Sequence, residues 1–202
     1  MMRYLAMICR IVIARVMITG AMITGVMVAG AVIFSSPGHA LTLDEYAADP
    51  KGYVLFIRHA LAPGTGDPAH FDINDCQTQR NLSDTGREQA RQIGERLKKA
   101  DLKIAAILTS QWCRCAETAE EMGLGPVIAE PGLNSFYQGI VPKQATLARL
   151  RQKLAQIDGG DGITVMVTHF VTISAITDIG VSSGGMVSYN PRTGDARIVG
   201  VK

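Results

Sequence analysis

From residue 53 onward the chain alternates short, unbroken apolar runs with longer stretches whose apolar residues recur every three or four positions. Tyr53-Val54-Leu55-Phe56-Ile57 is continuous and rich in β-branched and aromatic residues, which predicts a buried strand. Residues 60–80 read as loop, broken by Pro63, Gly64, Gly66 and Pro68. Ser83 predicts the cap of a helix with Asp84 and Glu88 in its first turns and Ala90, Ile93 and Leu97 on its apolar face. Ile104 to Leu108 predicts a second strand, and Ser110 the cap of a helix through about Met122. Val127-Ile128 predicts a third, short strand. Leu147, Leu150, Leu154 and Ile157 give residues 143–157 helical spacing. Ile163 to Val167 predicts a buried strand that leads into an apolar helix near 171–179. Met186 to Tyr189 and Ala196 to Val201, around Asn190-Pro191-Arg192-Thr193-Gly194, predict an antiparallel hairpin. Strands alternating with helices predict an α/β fold: a three-layer α/β/α sandwich on a mostly parallel sheet, with a C-terminal β-hairpin. Such sheets take their ligands beyond the carboxyl ends of the strands.

The first forty residues are different. They contain no Asp or Glu, their only charges are Arg3, Arg10 and Arg15, and six of the nine Met residues fall among them. A basic start, an apolar stretch from Val16 to Phe34 and then Ser35-Ser36-Pro37-Gly38-His39-Ala40 match a secretory signal, with Leu41 as the first mature residue. The same stretch is long enough for an uncleaved membrane anchor. Either reading exports residues 41–202, in a bacterium to the periplasm or beyond. The segment also skews the charge. The whole chain is formally +2, whereas residues 41–202 carry 17 basic and 18 acidic side chains, close to neutral. No basic run interleaved with aromatic residues is left, which removes the support for a nucleic-acid partner.

Three predicted strand ends carry charge or imidazole. The first ends in Arg58-His59-Ala60. The second ends in Thr109-Ser110, followed by a helix that holds Arg114 in its first turns. The later strand ends in Thr168-His169-Phe170. Two histidines and two arginines thus converge on one edge of the sheet, and that convergence outweighs any single dipeptide.

On these segments the chain resembles the histidine phosphatase superfamily, also called phosphoglycerate mutase-like. Arg58-His59-Ala60 is similar to its RHG signature, with Ala in the Gly place. NLSDTGREQARQIGERL (81–97), SQWCRCAETAEEMG (110–123) and VTHFVTISA (167–175) are similar, in order, to its later motifs. The resemblance implies His59 as a nucleophile that forms a phosphohistidine, with Arg58, Arg114 and His169 on the phosphoryl group. Guanidinium forks suit phosphate oxygens because they bind in a planar, bidentate way. Arg80, just before the Ser83-capped helix, is a further candidate anion contact. The resemblance implies no cofactor, and the sequence has no His, Cys and Asp cluster at metal-ligand spacing. The expected partner is a small phosphorylated substrate, with membrane contact only through an uncleaved N-terminal segment.

The chain departs from the family at the general acid. Where many members carry Glu in an L-x-E segment, this chain has Leu133-Asn134-Ser135. Where another branch carries Asp after the second histidine, it has Phe170. The acid is therefore unassigned, with Asp67, Asp72, Asp75 and Glu130 as candidates. Lacking one, the chain is expected to favour good leaving groups, or to be a non-catalytic relative that binds a phosphorylated ligand. Cys9 lies in the export segment, which leaves Cys76, Cys113 and Cys115. Cys113 and Cys115 cannot face one another on a helix, so Cys76 is expected to pair with one of them. Cys113 is favoured, because relatives carry a small core residue at position 115.

Overall fold

A computed structural model of the chain describes residues 40–50 and 53–200. The predicted export segment therefore lies outside the described residues, apart from Ala40. Strand β1 (Leu41–Thr42) runs directly into helix α1 (Leu43–Ala48), whose start is a reciprocal capping box between Thr42 and Glu45. The sequence pattern did not predict either element. Strand β2 (Val54–Arg58), helix α2 (Asp84–Lys99), strand β3 (Ile104–Thr109), helix α3 (Cys113–Glu121) and strand β4 (Val127–Ala129) follow in order. Helix α4 (Lys143–Leu154), strand β5 (Ile163–Thr168), helix α5 (Phe170–Thr177) and strands β6 (Met186–Tyr189) and β7 (Ala196–Gly200) complete the fold. Among the described residues, no helix is long and apolar enough to cross a membrane.

The strands form one seven-stranded sheet in the order β1-β7-β6-β2-β5-β3-β4. Strands β2, β5, β3 and β4 run parallel, and β6 and β7 pair antiparallel as the predicted hairpin. Side chains alternate across the sheet because successive Cβ atoms point to opposite faces. Leu55 and Ile57 of β2 face Ile93 and Leu97 of α2 and Trp112, Cys115 and Ala119 around α3. Val54 and Phe56 face Leu150 and Leu154 of α4 and Ile173 of α5. Two apolar layers thus clamp the central strands, giving the three-layer α/β/α sandwich.

Parallel β2, β3 and β5 bring Arg58, Thr109 and Thr168 to the same edge, in register Arg58↔Thr168 and Thr109↔Val167. The chain beyond β2 is fixed by backbone groups of other elements. His59 N–H donates to the Thr168 carbonyl at 2.9 Å. Ala60 N–H donates to Thr118 Oγ1 on α3 at 3.0 Å.

Two local expectations change. Ser110 does not cap α3: the helix starts at Cys113 with Trp112 in the cap position and no side-chain capping bond. Ser110 is held by site residues instead. Helix α4 stops at Leu154, short of Ile157, and the connection closes with an Ile157 N–H bond to the Leu154 carbonyl.

Helix α2 does begin with Ser83, whose Oγ accepts from Gly86 N–H at 3.1 Å. At Gly86 the helix lies directly on the Leu61 carbonyl, so a Cβ there would overlap backbone. Gly86→Ala is therefore expected to destabilise the fold by about 1–3 kcal/mol, the usual cost of overpacking. Urea unfolding measures it, and an unchanged midpoint would show that α2 can lift off this loop at no cost.

Candidate active site

A cavity of about 250 Å³ opens at this edge of the sheet and is lined by Arg58, His59, Arg80, Arg114 and His169. Gly64, Thr65 and Gly66 of the 60–80 loop form one wall, and Ser135, Tyr137, Phe170 and Val171 the other. The structure brings the four predicted anion-contacting residues together with the predicted nucleophile, His59. His59 is 2 % exposed, Arg114 2 % and His169 3 %.

The hydrogen bonds determine the histidine tautomers. His59 Nδ1 lies 2.8 Å from the Ala60 carbonyl. A carbonyl only accepts, so Nδ1 carries the proton and Nε2 keeps its lone pair. For His169 the chain of inference starts at Gln111, whose backbone N–H donates to Asn134 Oδ1 at 2.9 Å. Ser110 Oγ–H donates to the same oxygen at 3.1 Å, so it accepts from His169 Nε2–H at 3.0 Å. His169 Nδ1 is then unprotonated and accepts from Arg114 Nη2 at 3.4 Å.

Both imidazoles are neutral at ordinary pH. Burial pushes His59 down to about 3, aided by the charges of Arg114, Arg80 and Arg58 and opposed by its bond to Ala60. Burial and the Arg114 charge likewise hold His169 well below the usual imidazole range. A neutral imidazole with an open Nε2 is a nucleophile, whereas an imidazolium is not.

Arg58 and Arg80 are held by backbone carbonyls, Arg114 by a carboxylate. Arg58 Nη1 donates to the Val181 carbonyl at 3.0 Å, and its guanidinium lies 5.5 Å from the Phe170 ring centre. Arg80 Nε donates to the Gly66 carbonyl at 2.9 Å and Nη1 to the Ala62 carbonyl. Arg80 is thus a part-buried wall of the cavity rather than a solvated surface arginine. Arg114 donates through Nη1 and Nη2 to the two carboxylate oxygens of Asp67, at 2.7 and 3.1 Å. The Nε atoms of Arg58 and Arg114 are buried with no partner.

The four candidate acids are otherwise engaged. Burial alone would raise the Asp67 carboxyl, but its bonds to Arg114, Arg80 N–H and Trp112 Nε1 hold it below the ordinary range. It is a carboxylate, not a proton donor. Asp72 accepts from Asn74 N–H and Asp75 from Gln77 N–H within their own loop. Glu130 accepts from Gly132 N–H and pairs with Arg149 at 2.6 Å. Among the described residues no carboxylate lines the cavity, and Ser135, at the position where the family resemblance leads one to expect Glu, stands in its wall.

Cys76 and Cys113 are joined by a disulfide across 37 residues, which ties the 60–80 loop to the start of α3. Cys115 is a buried free thiol 3.4 Å from His169 Nε2, and burial pushes it up to about 12. The same loop is tied from the other side by Gln138, which sits at φ 66°. That left-handed backbone costs about 1–3 kcal/mol outside glycine. It carries Gln138 Oε1 to 2.7 Å from Asp67 N–H, while Gln138 Nε2 donates to the Asp67 carbonyl at 3.2 Å. Gly66, at φ 73°, leaves room for this side chain.

Sequence reasoning missed Ser110, Asn134 and Gln138 as site-supporting residues, and it considered Asp67 only as an acid. A usable signal for Asp67 existed. Three arginines sharing one pocket in a near-neutral domain call for a buried counter-charge.

The model of the histidine phosphatase superfamily (branch 1) matches residues 54–155, half of the chain, and the chain belongs to that superfamily. Serine/threonine-protein phosphatase Pgam5, mitochondrial, of Drosophila virilis is 28% identical over 78 residues, which is 39% of this chain. This match covers 24% of that protein, so the chain spans about a quarter of the curated relative it matches. The protein histidine phosphatase SixA complexed with tungstate superposes at a TM-score of 0.50 with 18% identity, covering 72% of this chain and 92% of that one. An open reading frame product of Mycobacterium tuberculosis also gives a TM-score of 0.50, with 16% identity over 73% of this chain and 95% of that one. At these identities the two structures establish a shared fold.

Two outcomes follow from the site. Breaking the disulfide with Cys76→Ala and Cys113→Ala is expected to cost about 2–4 kcal/mol, read from denaturant midpoints. The second outcome concerns acid. The folded histidines titrate below the unfolded value of about 6.5, so the unfolded chain binds more protons in the window beneath it. Their contribution to stability is fully present above about 6.5 and is lost as pH falls below it, for His59 down to about 3, at about 1.4 kcal/mol per pH unit for each proton taken up. Unfolding free energies across that window should slope less steeply in His59→Gln. An identical slope would mean His59 is already charged in the fold.

Proposed function

We propose that the chain is an exported, metal-independent phosphatase that hydrolyses a small phosphomonoester or sugar phosphate through a phosphohistidine on His59. One observation carries this reading: His59 is a neutral imidazole, its Nδ1 locked to Ala60, in the wall of a cavity shared with three guanidinium groups. Phosphoryl transfer needs a nucleophile held in line and positive charge around the phosphoryl oxygens. In the first step His59 Nε2 bonds to phosphorus, and the bond to the leaving group breaks with its electron pair. Arg58, Arg80 and Arg114 contact the oxygens. His169 joins them on taking up a proton at Nδ1, because the lone pair that accepts from Arg114 at 3.4 Å cannot bond a phosphoryl oxygen. In the second step water attacks phosphorus, the P–N bond returns its pair to Nε2, and phosphate leaves with water's oxygen.

The absence of a carboxyl group in the cavity lining supports a leaving group that departs without protonation. Acyl phosphates, phosphohistidine and anomeric sugar phosphates have that chemistry. Export to the periplasm or beyond rests on the composition of residues 1–40, as a cleaved signal or a retained anchor. The missing acid also favours a second reading, a relative that binds a phosphorylated ligand without turning it over.

Acid-quench trapping separates the two. Acid-labile, base-stable phosphate on the wild type and none on His59→Ala is the expected result; binding with neither label nor turnover supports the second reading. Across a series of aryl phosphates, turnover should rise steeply as the leaving group's pKa falls. A flat series would reveal an acid that the cavity lining does not contain.

A further inference from the structure

Asp67 was a candidate acid by sequence, and its geometry suits a different task. A guanidinium group has two edges that can bind a pair of oxygens: the end formed by Nη1 and Nη2, and the side formed by Nε and Nη2. In Arg114 the end is taken by Asp67 Oδ1 and Oδ2. On the side, Nε is buried with no partner, and Nη2 has only the long contact to His169.

The carboxylate is itself over-determined. Trp112 Nε1 donates to Oδ2 at 3.0 Å and Arg80 N–H to Oδ1 at 3.1 Å. Gln138 grips both the N–H and the carbonyl of Asp67, and does so from a strained backbone. Strain that persists at such a point marks a conformation the surroundings insist upon. The Asp67 side chain is 4 % exposed, so an incoming anion would have to break several buried bonds to displace it.

We propose that Asp67 is a positioning residue: it holds the end of Arg114 permanently, so that the side edge, Nε with Nη2, is presented to the phosphoryl group. The inference rests on the phosphatase reading for its consequence in catalysis. Asp67 also sets the charge of the cavity. Three guanidinium groups against one carboxylate leave two positive charges, which complement a phosphate monoester dianion. Removing the carboxylate makes the cavity more positive but frees the orientation of Arg114. Ground-state anion binding and turnover should therefore move apart.

The test uses Asp67→Asn and Gln138→Ala in the full chain, with tungstate as the anion probe and an aryl phosphate as substrate. Asp67→Asn is expected to lower kcat, by at most the roughly 100–1,000-fold that losing one transition-state donor outright costs. Its tungstate affinity should be unchanged or tighter. Gln138→Ala should shift kcat the same way and less, which keeps the inference testable if Asp67→Asn does not fold. Unchanged kcat in both variants overturns the inference, as does a kcat loss matched by an equal loss of tungstate affinity.

A second arm needs no turnover. Trp112 is the only tryptophan in the chain and is bonded to Asp67. If Asp67 stays on Arg114, tungstate saturation leaves the wild-type emission distinct from that of Asp67→Asn. Convergence of the two spectra would show that the anion expels Asp67, and would overturn the inference. A wild type that binds tungstate but never labels His59 would sink the phosphatase reading alone, and the emission result would still decide the role of Asp67.

Discussion

Three guanidinium groups around a cavity of about 250 Å³ repel one another, and the rest of the site is organised by that repulsion. Water screens like charges weakly in a pocket with low-dielectric walls. Burial keeps His59 and His169 neutral, and each nearby cation disfavours their protonation further. The single buried carboxylate, Asp67, offsets part of the repulsion and is bonded to the group at its centre, Arg114. A buried pair of this kind adds little net stability, because both ions lose their water, but removing one partner typically costs about 3–5 kcal/mol. It is better understood as a device for holding a geometry.

A loop carries that carboxylate, so the loop must be as firm as a strand. The fold achieves this from three directions. The Cys76–Cys113 disulfide anchors its far end to α3. Gln138 grips its middle from the segment before α4. Arg80 reaches back across it to the Ala62 and Gly66 carbonyls, so a cation of the site also serves as a strut for the wall opposite. By contrast Arg58, His59 and His169 need little added support, because they follow directly from parallel strands β2 and β5, whose register is fixed by two apolar layers.

What could be read from the sequence follows the same division. Arg58, His59, Arg114 and His169 were legible because each lies at a strand end or in the helix turn just after one, and strands announce themselves by local hydrophobic pattern. The sandwich and its hairpin were legible for the same reason. Asp67 was visible only as a loop acid, because its partner lies 47 residues away and a loop has no periodicity to say which way a side chain turns. Ser110 was read as a helix cap, since a serine before a helix has the same local pattern whether it bonds the helix or a histidine 59 residues on. Strand β1 has two residues, too few for any pattern to show.

That short strand has a consequence of timing. Leu41 and Thr42 pair with Val199 and Gly200 at the edge of the sheet, so the peptide bond after Ala40 abuts a hydrogen-bonded strand. An enzyme cutting at that bond must take the chain in an open, extended form. Once β1 has zipped onto β7, the sheet and the cutting enzyme compete for the same backbone groups. Were the chain cut before Leu41, the cut would have to precede the closing of this last edge of the sheet.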